Sequence, residues 1–442
     1  MNRSAPAVPV RIRILAVLFV LTFVNYLLRN NLSVAIESIQ KEFHFSSQDV
    51  GWILGSFNLS YAIFQVPGGL LGDWLGPRRA LAIIAASWGL QTLLTGFVPH
   101  IMVASAGGAM LALTATRFLL GVTNAPLFPV MAGAIANWFP VLRWAFPNAV
   151  SSAGLALGQA AVGPLVAVLV VSFGWRASFF WQAPLGFLVA AWWWWYARDT
   201  PREHRAVTAG EIELIEANRG PVIREQNPAR AWRKVLMQRE VLLLTLNYFC
   251  MNYVFFLFAQ WLFLYLVQER GFTVLESGWL YALPFIAGVV LAVLGGLVCD
   301  WACKRLGPSW GCRLPGAAGL LLIAILLLIG SRAPNPYVAV GLLSLCFGFT
   351  QFTDCIYWQA CTLVAGPHTA AAAGVLNTGG SLPGLLAPVI GLMVHRLGWM
   401  PTFASGSVFA LISVVLWLTL RLAPPPATKM ADARGRGAGS GA

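Results

Sequence analysis

Apolar stretches of twenty or more residues recur from one end of this chain to the other, each long enough to cross about 30 Å of hydrocarbon as an α-helix. A helix satisfies its own backbone hydrogen bonds, which makes it one of the few structures a chain can adopt in lipid. Cut where Pro, Gly and charge interrupt them, the stretches fall near residues 12–36, 50–71, 80–98, 107–136, 145–172 and 177–197, then 240–268, 277–299, 315–332, 337–361, 369–395 and 401–422. Twelve spans predict an all-α, polytopic membrane protein. Of the 442 residues 58% are hydrophobic and 10% charged, against about a quarter charged in soluble domains. That excludes an ordinary soluble enzyme, and the apolar runs exclude disorder, collagen and coiled coil. The first run holds Arg29, Asn30 and Asn31 near its end with no small-residue cleavage site after it, so it reads as a retained helix, not a signal peptide.

The formal charge of +13 is informative once mapped onto the loops. With the N-terminus in the cytoplasm, 22 of the 29 Lys and Arg fall on cytoplasmic segments and five on the opposite side (Lys41, Arg176, Arg270, Arg332 and Arg396), leaving Arg29 and Arg117 inside spans. The asymmetry predicts that both termini are cytoplasmic. The positive charge is then an orientation signal that also suits the anionic lipid bilayer, and no nucleic-acid partner is expected. Cys250, Cys346, Cys355 and Cys361 lie in apolar runs, whereas Cys299, Cys303 and Cys312 cluster at one loop; the seven imply no disulfide framework.

A polar stretch over 198–239 divides the spans into bundles at 1–197 and 240–422, and the two halves echo one another. Pro164 and Pro388, the pairs Gly174-Trp175 and Gly398-Trp399, and Phe179 and Phe403 all stand 224 positions apart. Gly69-x-x-x-Asp73 with Gly76, Arg78 and Arg79 is answered by Gly296-x-x-x-Asp300 with Lys304, Arg305 and Gly307. A duplicated six-helix unit with a site between its halves is a transporter architecture. The tail over 423–442, rich in Pro, Ala and Gly, is expected to be disordered.

An ionisable side chain at membrane depth costs several kcal/mol unless paired or hydrated, so those inside spans are candidates for function. They are Arg29, Arg117 and Asp354; Asp73 and Asp300 lie at span ends, and Glu37 closes the first span. Arg117 and Asn124, seven residues apart, are separated by about 700° of helical turn and share a face. A guanidinium fork there suits a carboxylate held bidentately; the alternative is a structural Arg paired with helix carbonyls or an acid. Arg29, with Tyr26 on the first span, lies nearer the outer end, where it could equally snorkel. Tyr61 and Gln65 stand one turn apart on the second span, and Asn247, Tyr253, Gln260 and Tyr265 punctuate the seventh, where interhelical hydrogen bonding is the commoner role. Asp354, with Tyr357 and Trp358 beside it, could carry a proton or serve as a structural partner. The acceptor patterns at Asn31 and Asn58 fall within spans and are discounted for glycosylation, and Trp192 to Trp195 read as an interfacial belt. His44, His100, His204, His368 and His395 lie apart, with no metal-ligand spacing, and no phosphate-binding loop for ATP is present. No enzyme, cofactor or metal site is expected.

Gly69 to Arg79 resembles the cytoplasmic loop motif of the major facilitator superfamily. More narrowly, Asn25-Tyr26-x-x-Arg29-x-x-Leu32-Ser33, Tyr61-x-x-x-Gln65-x-Pro67-Gly68-Gly69, Arg117-Phe118-x-x-Gly121 with Pro126 to Pro129, Trp138-Phe139-Pro140 and Gly174-Trp175-Arg176 resemble the anion:cation symporter family. That family includes bacterial sugar-acid and other organic-anion symporters and the vertebrate vesicular and sialic acid carriers. The resemblance implies carboxylate recognition at Arg29 and Arg117, with Tyr26, Tyr61 and Trp358 nearby; Gln65, Asn124 and Asn377 are the further substrate-binding candidates. It also implies transport by rocking of two halves; the glycines and the acid of the repeated motif, Gly69, Asp73, Gly76, Arg78, Arg79 and Asp300, are read as a conformational latch at the cytoplasmic face. Asn377 to Gly380 resemble the eleventh-span motif, although Ser381 stands where Asn is usual, and Trp74 replaces the basic residue after Asp73. Leu28 and Asn124 occupy the positions of the usual proton-coupling carboxylates. The expectation is therefore a monomeric secondary transporter of a small organic anion in a plasma membrane, most plainly a bacterial inner membrane, working by facilitated diffusion or exchange in preference to proton symport. In symport Asp354 would be the coupling group. The alternative is a transport-dead sensor or accessory protein that retains the fold.

Overall fold

The computed structural model describes residues 8–101, 106–140, 145–216, 236–365 and 369–422. The expected tail disorder, much of the 198–239 linker and Arg143 lie outside them. The structure is helical throughout: α1 Val10–Phe43, α2 Ser47–Leu75, α3 Pro77–Ile101, α4 Ala106–Asn124, α5 Leu127–Trp138, α6 Ala145–Tyr196, α7 Ala209–Glu216, α8 Arg239–Phe256, α9 Leu262–Gln268, α10 Val274–Arg332, α11 Pro336–Ala365, α12 Thr369–Ser381, α13 Ala387–Leu397 and α14 Trp399–Thr419. Nine stretches among the described residues are helices long and apolar enough to cross a membrane. Two of them, α6 and α10, are each a pair of helices run together across a glycine, at Gly174 (φ 83°, ψ 161°) and Gly307 (φ 79°, ψ 161°). With those separated and α2 added, the described spans number twelve. Gly398 has a φ of 83°, so the glycines 224 positions apart share one backbone conformation that L side chains avoid.

Irregularities sit where the sequence demands them. Pro126 separates α4 from α5, the five-residue π-turn Leu257–Trp261 joins α8 to α9, and the 3-10 segment Leu382–Leu386 joins α12 to α13. At Pro126 and at Pro383, within the 3-10 segment, proline has no N–H to give to the helix; the π-turn contains no proline. α1 starts after Pro9, and its first two N–H groups, which have no partner within the helix, donate to the Glu211 carboxylate on α7, Val10 N at 3.2 Å and Arg11 N at 3.0 Å. A carboxylate at a helix N-terminus also meets the positive end of the macrodipole. The first part of the linker is thereby tied to the first span.

Two compact units are distinguishable. One comprises Met1–Ile223, Phe256–Ile286 and Gly384–Thr402; the other comprises Arg224–Phe255, Ala287–Pro383 and Phe403–Ala442. In the first, α1 and α3 pack on α6, α2 packs on α4, and α13 also packs on α2. The second centres on Leu320, Ile323, Leu327, Leu343, Phe347 and Trp417, all 2% exposed or less. Large apolar side chains such as Leu111, Leu188, Val293 and Leu297 are at least 60% exposed, as expected of surfaces that meet lipid chains. Of the four consecutive tryptophans, Trp193 is buried and donates to the Arg78 carbonyl at 3.1 Å, while Trp192, Trp194 and Trp195 face outward.

Candidate functional site

Among the described residues, a polar cluster interrupts the apolar spans in each unit. In the first unit, Gly121 lets α2 and α4 approach closely: a Cβ there would stand 2.3 Å from the Phe57 carbonyl oxygen and 2.0 Å from Ser60 Oγ. Small residues at such crossings are how membrane helices gain contact. The approach brings Phe57 and Tyr61 of α2, which stack at 5.8 Å, against Arg29 of α1. The Arg29 guanidinium carbon lies 4.6 Å from the Phe57 ring centre, 5.2 Å from Tyr26 and 5.2 Å from Tyr61. These are cation–π distances. Arg29 is half-buried, and no ion pair to it exists among the described residues.

Arg117 is only 4% exposed and has different neighbours. Its Nη1 donates to the Arg29 carbonyl at 3.0 Å and its Nη2 to Asn31 Oδ1 at 3.0 Å, while Nε is buried without a partner. The neutral partners solvate the charge, and the first of them fixes the backbone that carries Arg29. Asn124 looks the same way along α4: its Oδ1 accepts from Asn25 Nδ2 at 2.5 Å and its own Nδ2 donates to the Leu120 carbonyl. Both α4 residues thus face α1. Leu28 is buried in apolar packing at 1% exposure. Gln65 Oε1 is buried without a hydrogen bond. Asn58, 3% exposed, donates to the Gly384 carbonyl at 3.1 Å.

In the second unit, Asp354 of α11 accepts from Tyr248 Oη at 2.7 Å and from Trp358 Nε1 at 3.2 Å. α12 can lie this close to α8 because Gly380 leaves room for the Tyr248 ring; a Cβ there would be 2.3 Å from Tyr248 Cε1. Tyr357 does not touch the carboxylate. Its hydroxyl donates to Asn247 Oδ1 at 2.6 Å and shares a 2.9 Å hydrogen bond with Ser413. Asn377, on α12, offers its carbonyl to Ser381 Oγ at 2.9 Å. Tyr253 bonds Ser405 at 2.9 Å; in the first unit, Arg270 donates to Tyr265 Oη at 2.6 Å.

At the start of α3 the loop motif is held by a residue outside it. Gly76 (φ 77°) turns the chain, and the Asp199 carboxylate accepts from Arg78 N at 2.8 Å. The Arg78 guanidinium donates to the Trp194 carbonyl and lies 4.7 Å over the Trp194 ring, whereas Arg79 is exposed. Asn137 Nδ2 and Trp138 Nε1 donate to the carbonyls of Asp199 and Arg198 at 3.0 Å each. Gly69 and Asp73 fall within α2, but their surroundings lie outside the described residues. Asp300 is exposed at the corresponding place in the second unit. The Gly174-Trp175-Arg176 motif grips the end of α1: Trp175 Nε1 and Arg176 Nη1 donate to the Glu42 carboxylate at 2.7 Å and 2.9 Å.

Sequence reasoning did not single out Phe57, Tyr248 or Asp199. Tyr248 had a signal, since Thr245, Tyr248 and Asn252 recur at helical spacing on one face. Phe57 had none, because an aromatic in an apolar span is indistinguishable from core.

Comparison with known proteins agrees with this arrangement of helices. The family model described as Major Facilitator Superfamily matches residues 18–388. The chain is 32% identical over 405 residues to the probable sulfoacetate transporter SauU of Cupriavidus necator, covering 89% of this chain and 90% of that one. It is 30% identical over 434 residues to the probable galactarate/D-glucarate transporter GarP of Escherichia coli, covering 94% and 96%. Among solved structures, a bacterial homologue of the human lysosomal transporter Spinster, in an inward-facing and occupied conformation, superposes with a TM-score of 0.76 over 93% of this chain and 97% of that one, at 17% identity.

Proposed function

The chain belongs to the major facilitator superfamily, a family of multi-pass membrane transporters and not of enzymes, and from that premise we propose that it carries small organic anions bearing a carboxylate, of the sugar-acid or sulfoacetate class, across a bacterial inner membrane by alternating access. The observation that carries the reading is Arg29: a half-buried guanidinium ringed by Phe57, Tyr26 and Tyr61 at 4.6–5.2 Å, with no acidic partner among the described residues. The rings screen it from lipid and leave its donors for an anion. Arg117 acts through Arg29, because its Nη1 holds the Arg29 carbonyl. In this reading Gln65, whose Oε1 is unsatisfied, supplies a polar contact to the hydroxyls of the substrate. Tyr26 and Tyr61 line the cage, and Asn124 braces α4 against α1.

The names of the relatives SauU and GarP, and the family match over 18–388, support the substrate class. Neither Leu28 nor Asn124 can titrate, and Asn124 is engaged by Asn25, so proton symport through those positions is not part of the proposal. The charge asymmetry of 22 to five supports cytoplasmic termini. The test is a thermal-shift screen and uptake into proteoliposomes with glucarate, galactarate, sulfoacetate and, as control, a neutral sugar. Stabilisation and uptake by at least one anion, and none by the neutral sugar, are expected. Stabilisation without uptake would instead identify a sensor that retains the fold, and a response to none of the anions would refute the proposed substrate class.

A further inference from the structure

Away from the anion site, three thiols converge where the two helices of α10 meet. Cys299 and Cys303 stand one helical turn apart and so share a face. The chain turns at Gly307 and returns Cys312 between them: Cys312 Sγ lies 3.8 Å from Cys299 Sγ and 3.8 Å from Cys303 Sγ, and all three sulfurs fall within 4.8 Å of one another. The approach depends on Gly311, since a Cβ there would stand 2.3 Å from Cys303 Cα and 2.7 Å from its Sγ. Cys299 and Cys312 are 3% and 0% exposed, and Cys303 is half-buried, leaving one open side to the triangle. Lys304 and Arg305 are exposed beside it.

We propose that Cys299, Cys303 and Cys312 form a binding site for a soft, thiophilic d10 cation, Cu(I) or Zn(II), coordinated by three thiolates. The geometry meets the requirement directly: a point equidistant from three sulfurs so spaced lies about 2.3 Å from each, the length of a metal–thiolate bond. Thiolate ligands select such ions over hard cations. Binding replaces three S–H protons, released to solvent, by three metal–sulfur bonds, and Lys304 and Arg305 offset the resulting negative charge. Neither redox change nor a co-reactant is required. Because Cys312 is equally near both neighbours, a disulfide would use two sulfurs and strand the third, whereas an ion uses all three. The site would clamp the hairpin of the eighth and ninth spans. It stands independently of the anion reading and reverses the expectation, drawn from spacing alone, that the chain holds no metal.

The test uses the full-length protein, purified reduced and metal-free, and titrated with Zn(II), with Cu(I) held by a competing chromophoric chelator, and with Mg(II). One equivalent of Zn(II) or Cu(I) is expected to bind, with no response to Mg(II), and the preferred ion identifies the natural ligand. Cys303→Ser is expected to weaken binding at least a hundredfold. Its half-buried position lets the variant fold, which an unchanged melting temperature in the metal-free state checks. Cys361→Ala, outside the cluster, is expected to bind as the parent does. The ion is also expected to protect the cluster's thiols from alkylation. Absence of stoichiometric binding, unchanged affinity in Cys303→Ser, or formation of a disulfide within the cluster while the ion is present would each overturn the proposal.

Discussion

Exchanging each span arginine for lysine separates the two roles proposed for them. A carboxylate gripped by a guanidinium fork accepts two charge-assisted hydrogen bonds, each contributing about 1.5–3 kcal/mol. Arg29→Lys keeps the charge over the rings of Phe57, Tyr26 and Tyr61 but presents a point in place of a plane. With one of the two bonds lost, the anion's Kd should rise roughly 10- to 150-fold at 1.4 kcal/mol per decade. Arg117→Lys acts on the fold first. Its two terminal nitrogens serve the Arg29 carbonyl and Asn31 Oδ1 at 3.0 Å each, and one ammonium cannot reach both as the fork does. One buried acceptor is left unsatisfied, at about 1–3 kcal/mol, so the substrate-free melting temperature should fall. Binding should weaken less than in the Arg29 variant. Calorimetric titration of both purified variants, with melting curves taken without substrate, gives the four numbers needed. If Arg29→Lys binds its anion unchanged at an unchanged melting temperature, the cage is not the site; if Arg117→Lys alone loses affinity without losing stability, Arg117 is the clamp.

Reporters fused after Arg239 and at the C-terminus should both register cytoplasm, given 22 positive residues on that side against five; an external signal at either place would overturn the topology. Asp199→Asn removes the charge that meets the α3 N-terminus at Arg78 N, 2.8 Å away, and should cost about 0.5–2 kcal/mol, read as a lower melting temperature and faster cytoplasmic cysteine labelling near Gly76; an unchanged value for both would mean that the contact holds nothing. His204 packs against Trp138 and Tyr196 outside the spans, and burial, then Arg198, hold its pKa below the ordinary 6.5, with Arg13 adding to the effect and Glu211 opposing it. Protonation then favours the unfolded state, in which the group titrates near 6.5, so stability should be full above that pH and fall as pH drops below it towards the folded value. Replacing His204 with Gln should reduce the loss of melting temperature between pH 7.5 and 5.5, and identical losses would remove His204 as the cause.

The spans were legible because length and apolarity alone decide whether a helix can cross a bilayer, and each stretch had both. The repeat was legible because Gly174 and Gly398, in one backbone conformation, cannot be replaced without strain. What the sequence could not convey was partnership. It marked Arg117 as costly to bury, and it is buried, but the partners are the Arg29 carbonyl and Asn31 Oδ1, on a helix more than eighty residues away. It marked Asp354 but not Tyr248, which satisfies it from 106 residues away. It marked the loop motif but not Asp199, 121 residues on from Arg78, on which α3 begins. Helical spacing reports which residues share a face, and only the packing of helices decides what that face meets.

Energy coupling follows from charge balance. An anion entering a cell against an inside-negative potential is opposed by about 2.3 kcal/mol per charge per 100 mV. A proton symporter removes that penalty with a side chain that is protonated and deprotonated within the cycle. Leu28 and Asn124 cannot do this, which leaves Asp354, held by hydrogen bonds from Tyr248 and Trp358, as the one candidate the sequence singled out. Anion-for-anion exchange avoids the penalty differently: with the proposed anion on Arg29 in both crossing steps, each carries the same net charge and the membrane potential cancels. Proteoliposomes preloaded with unlabelled substrate should therefore take up labelled substrate faster than empty ones, at a rate indifferent to an imposed potential or pH gradient when the exchanging anions are alike. Asp354→Asn should leave that indifference intact. Substrate-driven proton entry, abolished by the same substitution, would make Asp354 the coupling group and end the exchange reading.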